Sequence, residues 1–349
     1  MENKITPGYK KYSKSSGFYF DAKSKFFNAN DKLLGEAERQ NKLYISQPRR
    51  TKCKICNTTL SDSCDFKSHE VSYVFCDNCE HLNGMYEDTQ YFVDNLYIQA
   101  DGKDYAKNYM GPNFVQQAKL IYQPKLDFLR ENLPFDYEFK LLDVGCGSGY
   151  FVYVALRSGI DAKGVDVNQT MVDFGNHQIE LNQNKTPLRH TNESDFFYSI
   201  VNTDANVISA IGVIEHLRNP LSFFEAFHQS KAQYLFYSVP MFSFSVMLEN
   251  SFQNIYPRQL SGGHTHLFTE GSIKWLHDAM QFDSVAEWRF GTDALDLYRS
   301  VRVEMDKNGA SQKVISLLDQ GLGKSIDIIQ AVLDKSHFCS EIHGLVVKR

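Results

Sequence analysis

Four paired cysteines, three closely set glycines and a Glu-His pair are the residues of this 349-residue chain whose types and spacing could do chemistry. Cys53, Cys56, Cys76 and Cys79 form two C-x2-C knuckles separated by 19 residues. Two knuckles complete the tetrahedron of a structural zinc ribbon, and a segment as short as 51–85 has too little core to fold without a metal. We expect Zn2+ on these four thiolates, in preference to Cys64, His69 and His81.

In LLDVGCGSGYF the glycines Gly145, Gly147 and Gly149 are spaced G-x-G-x-G. A dinucleotide loop requires G-x-G-x-x-G, and a Walker loop requires a Lys that is missing here. Asp143, just ahead of the loop, would repel a pyrophosphate and suits a cationic group. Asp166 stands 23 residues further on, in GVDVN, where a carboxylate at a strand end can accept both hydroxyls of a ribose. A ligand with a ribose, a positive group and no phosphate fits S-adenosylmethionine.

These residues need strand ends to hold them. From residue 139 onward, short apolar runs alternate with helical patterns, which predicts βαβ units and a mostly parallel sheet. The predicted strands are 139–144, 161–165, 187–190, 206–210, 234–239, 284–290 and 342–348. The fold class is therefore α/β, an open, doubly wound, seven-stranded sheet whose ligand sits at the carboxyl ends of the strands. Ahead of it we read a basic leader (1–50), a small zinc ribbon (51–85) and a helical connector (86–135). The domain itself is 136–349, with a lid at 241–268.

The glycine and ribose motifs resemble those of class I S-adenosylmethionine-dependent methyltransferases over roughly 139–290 and the last strand, a Rossmann-like methyltransferase fold. The resemblance implies that the three glycines let the backbone approach the cofactor and that Asp166 binds its ribose. It also implies that Glu193 or Asp195, in HTNESDFF, contacts the adenine. The stretch VISAIGVIEHLRNP follows the same pattern, a fourth strand running into Glu215-His216. In the sugar C-methyltransferases, which a zinc ribbon ahead of this domain resembles, such a pair does acid/base work. That makes His216 the candidate base and Glu215 its neighbour, and an unperturbed His pKa of ~6.5 suits the task. Quinone O-methyltransferases that hold a divalent ion use E-x-L-E-H, and here the first position is Gly212.

Within the lid, His264 and His266 share one face if the chain is extended and can hold a phosphate, a sugar hydroxyl or a metal. Tyr105 of the connector can close over the cofactor. The leader is basic, with 13 Lys/Arg against 5 Asp/Glu in residues 1–54, and the remainder is acidic, with 24 against 37. An acidic body disfavours a nucleic-acid groove, while the basic arm keeps a phosphate-bearing small molecule in play. The most apolar window, 234–248, is broken by Pro240 and three serines and does not read as a membrane span. The start of the chain has no apolar h-region, so the expected compartment is the cytoplasm, with reduced thiols. The expected activity is methylation of a small molecule, a nucleotide-linked sugar or glycan precursor. The rival readings are an RNA or protein methyltransferase and a non-catalytic zinc-ribbon adaptor.

Overall fold

The computed structural model describes residues 8–15, 27, 29–98, 106, 110, 111, 113–134, 139–260 and 263–349. Among them the first strands are β1 (Tyr9–Tyr12), β2 (Phe66–Ser68), β3 (Val71–Phe75), β4 (Leu82–Gly84), β5 (Lys140–Val144) and β6 (Asp161–Asp166). There follow β7 (Leu188–His190), β8 (Val207–Ile211), β9 (Tyr234–Pro240), β10 (His266–Leu267), β11 (Phe282–Phe290) and β12 (Glu341–Lys348).

Eight of these strands form one sheet in the order β1-β11-β12-β9-β8-β5-β6-β7. Strands β5 to β9 are parallel, whereas β12 runs antiparallel to both β9 and β11. The expectation of seven mostly parallel strands is thus corrected to eight in a mixed sheet. The extra strand is β1, from the basic leader, which pairs in parallel with β11. Its sequence, YKKY, is too short and too charged to read as a strand. The edge of β11 supplies the pairing, and Trp288 Nε1 donates to the Ser13 carbonyl at 3.0 Å.

Strand side chains alternate between two cores, as a sheet covered on both faces requires. Leu141, Val207, Phe236, Trp288 and Leu345 face one core with Phe128 and Phe151. Leu142, Ile208, Leu235, Tyr237 and Val346 face the other with Phe223 and Phe227. The helices that matter for the site are α1 (Gln123–Asn132), α2 (Tyr150–Arg157), α3 (Gln169–Gln183), α4 (Glu193–Val201) and α5 (Pro220–Gln229). Asn168 caps α3 by accepting from Met171 N–H at 3.0 Å, and Asn192 caps α4 from Asp195 N–H at 2.8 Å. Such caps satisfy backbone donors that a helix start leaves unpaired. Both place a polar loop at a strand's carboxyl end.

The small sheet runs β10-β4-β3-β2, antiparallel throughout. Its strand β10 comes from the 241–268 segment, not from the cysteine-bearing stretch. Ile55, Leu60, Val74 and Met85 pack into the same core as Phe268 and Ile273. The cysteine segment therefore buries its apolar side chains against the body of the protein. No helix among the described residues is long and apolar enough to cross a membrane.

Candidate active site

The glycine loop begins where β5 ends. Gly145, Gly147 and Gly149 all have left-handed φ (69°, 53° and 72°), which non-glycine residues rarely adopt. A Cβ at Gly149 would meet Leu188 at 2.5 Å, and one at Gly145 would collide with Val213. Gly147 N–H donates to Asp166 Oδ2 at 2.7 Å and Asn168 N–H to Oδ1 at 2.8 Å. Each carboxylate oxygen has a second lone pair, so Asp166 keeps acceptor capacity toward the cavity it lines. Burial raises its pKa above the usual carboxylate range, against these two bonds. Asp143 accepts from Ser209 Oγ at 2.6 Å, and burial pushes its carboxyl up to about 7.

The Glu-His pair sits on a single 3-10 turn, Ile214–His216, just beyond β8. His216 Nδ1 lies 3.1 Å from the Gly263 carbonyl, which can only accept, so Nδ1 carries the proton and Nε2 is the basic nitrogen. His264 is fixed in the same tautomer by the Gln259 carbonyl, 2.9 Å from its Nδ1. The two rings stack with centroids 5.4 Å apart. Burial, then the neighbouring His264, holds His216 far below the ordinary histidine value, to about 3. The unperturbed pKa assumed from sequence does not apply. Glu215 Oε1 stands 4.0 Å from His216 Nε2, and Oε2 is buried without a partner. Burial pushes Glu215 up to about 8. One ligand atom each from Glu215, His216 and His264 falls within 4.8 Å of the others, a set that could hold a metal ion.

Asp143, Gly145, Gly147, Asp166, Glu215, His216 and His264 line one cavity of about 1190 Å³, whereas Gly149 packs against Leu188 and does not line it. Its further wall was not read from sequence. Arg50 and Asp88 reach it from either side of the cysteine segment, Arg258 and Gln259 from the 241–268 stretch, and Glu341 from the start of β12. Asp88 is held by Arg50 at 3.3 Å and by a close ion pair with Lys54, inside the first cysteine knuckle. Its Oδ1 is buried and unpartnered. Arg50, Lys54 and Asp88 are scattered in sequence and carry no local pattern. Only the folded knuckle brings them together.

The four cysteines converge as their spacing requires. Cys53 and Cys79 Sγ are 3.6 Å apart, Cys56 and Cys76 Sγ 3.3 Å, and all four lie within 4.8 Å. Sulfurs about 2.3 Å from a tetrahedral zinc would stand roughly 3.8 Å from one another. The Ile55 backbone N–H and the Asn83 side-chain Nδ2 donate to Cys53 Sγ (3.5 and 3.6 Å), the second-layer bonds that thiolate ligands need. The set fits a structural zinc.

Other candidates from sequence are placed differently. His266 does not line the cavity. It is buried against His81, Nδ1 to Nε2 at 2.7 Å, because β10 turns it toward the small sheet, so it does not share a face with His264. Asp195 is exposed and accepts from Asn192 Nδ2 at 2.9 Å, while Thr191 and Asn192 line the cavity at that strand end. The side chain of Glu193 and the whole of Tyr105 lie outside the described residues.

Residues 114–287 match a family model described as "Methyltransferase domain". That stretch, just under half of the chain, is a methyltransferase domain. Among curated relatives, a ubiquinone biosynthesis O-methyltransferase of Actinobacillus pleuropneumoniae is 27% identical over 110 residues, 31% of this chain and 47% of that protein. A probable fatty acid methyltransferase of Mycobacterium tuberculosis is 27% identical over 106 residues, 30% of this chain and 24% of its own length. The chain thus spans less than half the length of these relatives. Among solved structures, magnesium protoporphyrin IX methyltransferase from Synechocystis, with bound S-adenosylhomocysteine, is 12% identical. It has a TM-score of 0.48 and covers 75% of this chain and 100% of its own. A SAM-dependent methyltransferase from Archaeoglobus fulgidus is 18% identical, with a TM-score of 0.41, over 68% of this chain and 100% of its own.

Proposed function

We propose that this protein transfers a methyl group from S-adenosylmethionine to a small, polar, hydroxyl-bearing molecule, a nucleotide-linked sugar or related glycan precursor. The observation that carries the reading is that one cavity holds both the glycine loop with Asp166 and the Glu215, His216 and His264 cluster. Its volume of about 1190 Å³ leaves room for a second ligand beside the cofactor. The wall beyond the His pair is built from Arg50, Asp88, Arg258 and Gln259, hydrogen-bonding groups that suit a hydroxylated or phosphorylated acceptor better than a hydrocarbon tail. Cys53, Cys56, Cys76 and Cys79 would hold a structural zinc, which would fix Lys54 within the first knuckle and, through it, Asp88.

In the mechanism, Asp166 takes the ribose hydroxyls and Asp143 the positive end of the cofactor. The acceptor atom approaches the methyl group from the side of His216. S-adenosylmethionine, when bound, would supply the electrophilic methyl group, its carbon–sulfur bond giving way to the new bond from the acceptor's lone pair and leaving a neutral thioether. His216 Nε2 removes the acceptor's proton, and Glu215 beside it shares that proton. A second reading is favoured by the same three side chains, whose ligand atoms are close enough for a divalent ion that would orient the acceptor.

The deciding experiment incubates the protein with methyl-labelled cofactor and separate pools of nucleotide-linked sugars, RNA and protein. Label in the sugar pool, surviving treatment with a chelator too mild to strip the cysteines, supports the base reading. Chelator-sensitive label supports the metal reading. Label in RNA or protein contradicts the acceptor class. Cofactor binding without turnover on any pool favours the adaptor.

A further inference from the structure

Lys125 is the third residue of α1, next to Leu126 on the helix face that packs against the sheet. Its side chain is only 7% exposed and lines the cavity, yet it makes no hydrogen bond or ion pair with any described residue. The Tyr122 ring lies under its ammonium, 5.2 Å from Nζ. Burial lowers its pKa below the ordinary lysine value, and Glu341, Asp143 and Glu215 act from a distance to raise it again. A buried ammonium without an acceptor is costly, and folds rarely keep one unless a ligand supplies the partner.

The helix is shaped to deliver it. Pro124 has no N–H to continue the regular ladder, and a π-helical turn, Ala118–Tyr122, immediately precedes α1. Tyr122 ends that turn, Lys125 directly follows Pro124, and both line the cavity. Asp143 lines the same cavity, close enough to influence Lys125 but not paired with it. The amino-acid end of S-adenosylmethionine is a zwitterion, with an ammonium and a carboxylate on one carbon. A carboxylate and an ammonium held apart in one pocket complement that arrangement.

We infer that Lys125 binds the carboxylate of the cofactor's methionyl end, opposite Asp143 on its ammonium. The inference rests on the cofactor reading above and adds the residue that would tell an amino-acid-bearing nucleoside from a bare one.

Calorimetry with two probes tests it. S-adenosylhomocysteine carries the amino-acid end, and 5′-methylthioadenosine lacks it. Lys125→Met keeps the length and apolar stem but removes the charge. It should weaken S-adenosylhomocysteine at least tenfold, the loss expected for one charge-assisted hydrogen bond, and leave methylthioadenosine within twofold. Lys125→Arg should recover part of the loss. Unchanged S-adenosylhomocysteine affinity in Lys125→Met overturns the inference alone, as does an equal loss for both probes. The wild-type protein provides a check that needs no variant, since it should prefer S-adenosylhomocysteine over methylthioadenosine by a similar factor. If it binds both equally, Lys125 is not a carboxylate site. If it binds neither, the cofactor reading falls as well.

Discussion

Glu215 and His216 occupy one turn with opposite electrostatic needs, and their environment decides which can carry a proton. Burial disfavours the charged form of each, raising Glu215 to about 8 and lowering His216 to about 3. Their facing atoms are 4.0 Å apart, so the two titrate as a pair. Turnover that needs the pair unprotonated should rise with pH through an ionisation near 8, not near 6.5, and Glu215→Gln should remove that limb from the kcat profile. His216→Asn should lower kcat roughly 10²–10⁴-fold with S-adenosylhomocysteine affinity unchanged; retention of most activity would make His216 a wall of the pocket. The same shift has a stability consequence. A carboxyl with a raised folded pKa favours the fold fully below its unfolded value of about 4.3 and loses that contribution as pH rises through the folded one. The ligand-free protein should therefore lose stability between about pH 4.3 and 8 more steeply than Glu215→Gln does, as denaturant titrations at several pH values would show.

Strand and helix placement from residue 139 onward was legible because both faces of the sheet are covered, so β5 to β9 read as apolar runs separated by helix-capping Asn and Gly. The glycine loop was legible for a related reason, since its left-handed φ values admit few other residues. The cavity wall was not. Arg50 and Asp88 reach it only through the cysteine knuckle, Lys125 reads as one charge within an apolar helical stripe, and β1 is specified by the edge of β11. His266 was misplaced because the extended-chain rule fails where β10 turns toward β4, with Gly84 N–H donating to the Thr265 carbonyl at 2.8 Å. That pairing links the cysteine cluster to the residues around His264. Cys53→Ser should therefore expose the 241–268 segment to limited proteolysis and lower turnover, while S-adenosylhomocysteine affinity stays near wild type. Proteolysis confined to residues 51–85 would show that the two segments are uncoupled.

At the scale of the whole molecule, one sheet carries the glycine loop and Asp166, and the segments before and after it complete the wall of the cavity. The leader takes part in this arrangement. Trp288 is almost fully buried, and Lys11 sits over its ring at 4.3 Å. Deleting residues 1–13 should bare the edge of β11, shift tryptophan fluorescence to the red and promote association; an unshifted spectrum would show that β1 is dispensable for that cover. The central claim is that the cavity is an S-adenosylmethionine site, and calorimetry of S-adenosylhomocysteine against the wild-type protein and Asp166→Ala tests it most directly. Asp166 would give two charge-assisted bonds to the ribose, each worth about 1.5–3 kcal/mol. S-adenosylhomocysteine should bind the wild type and bind the variant at least tenfold more weakly, and NAD and ATP should not bind. Equal affinity in the two proteins, or a preference for NAD or ATP, would contradict it.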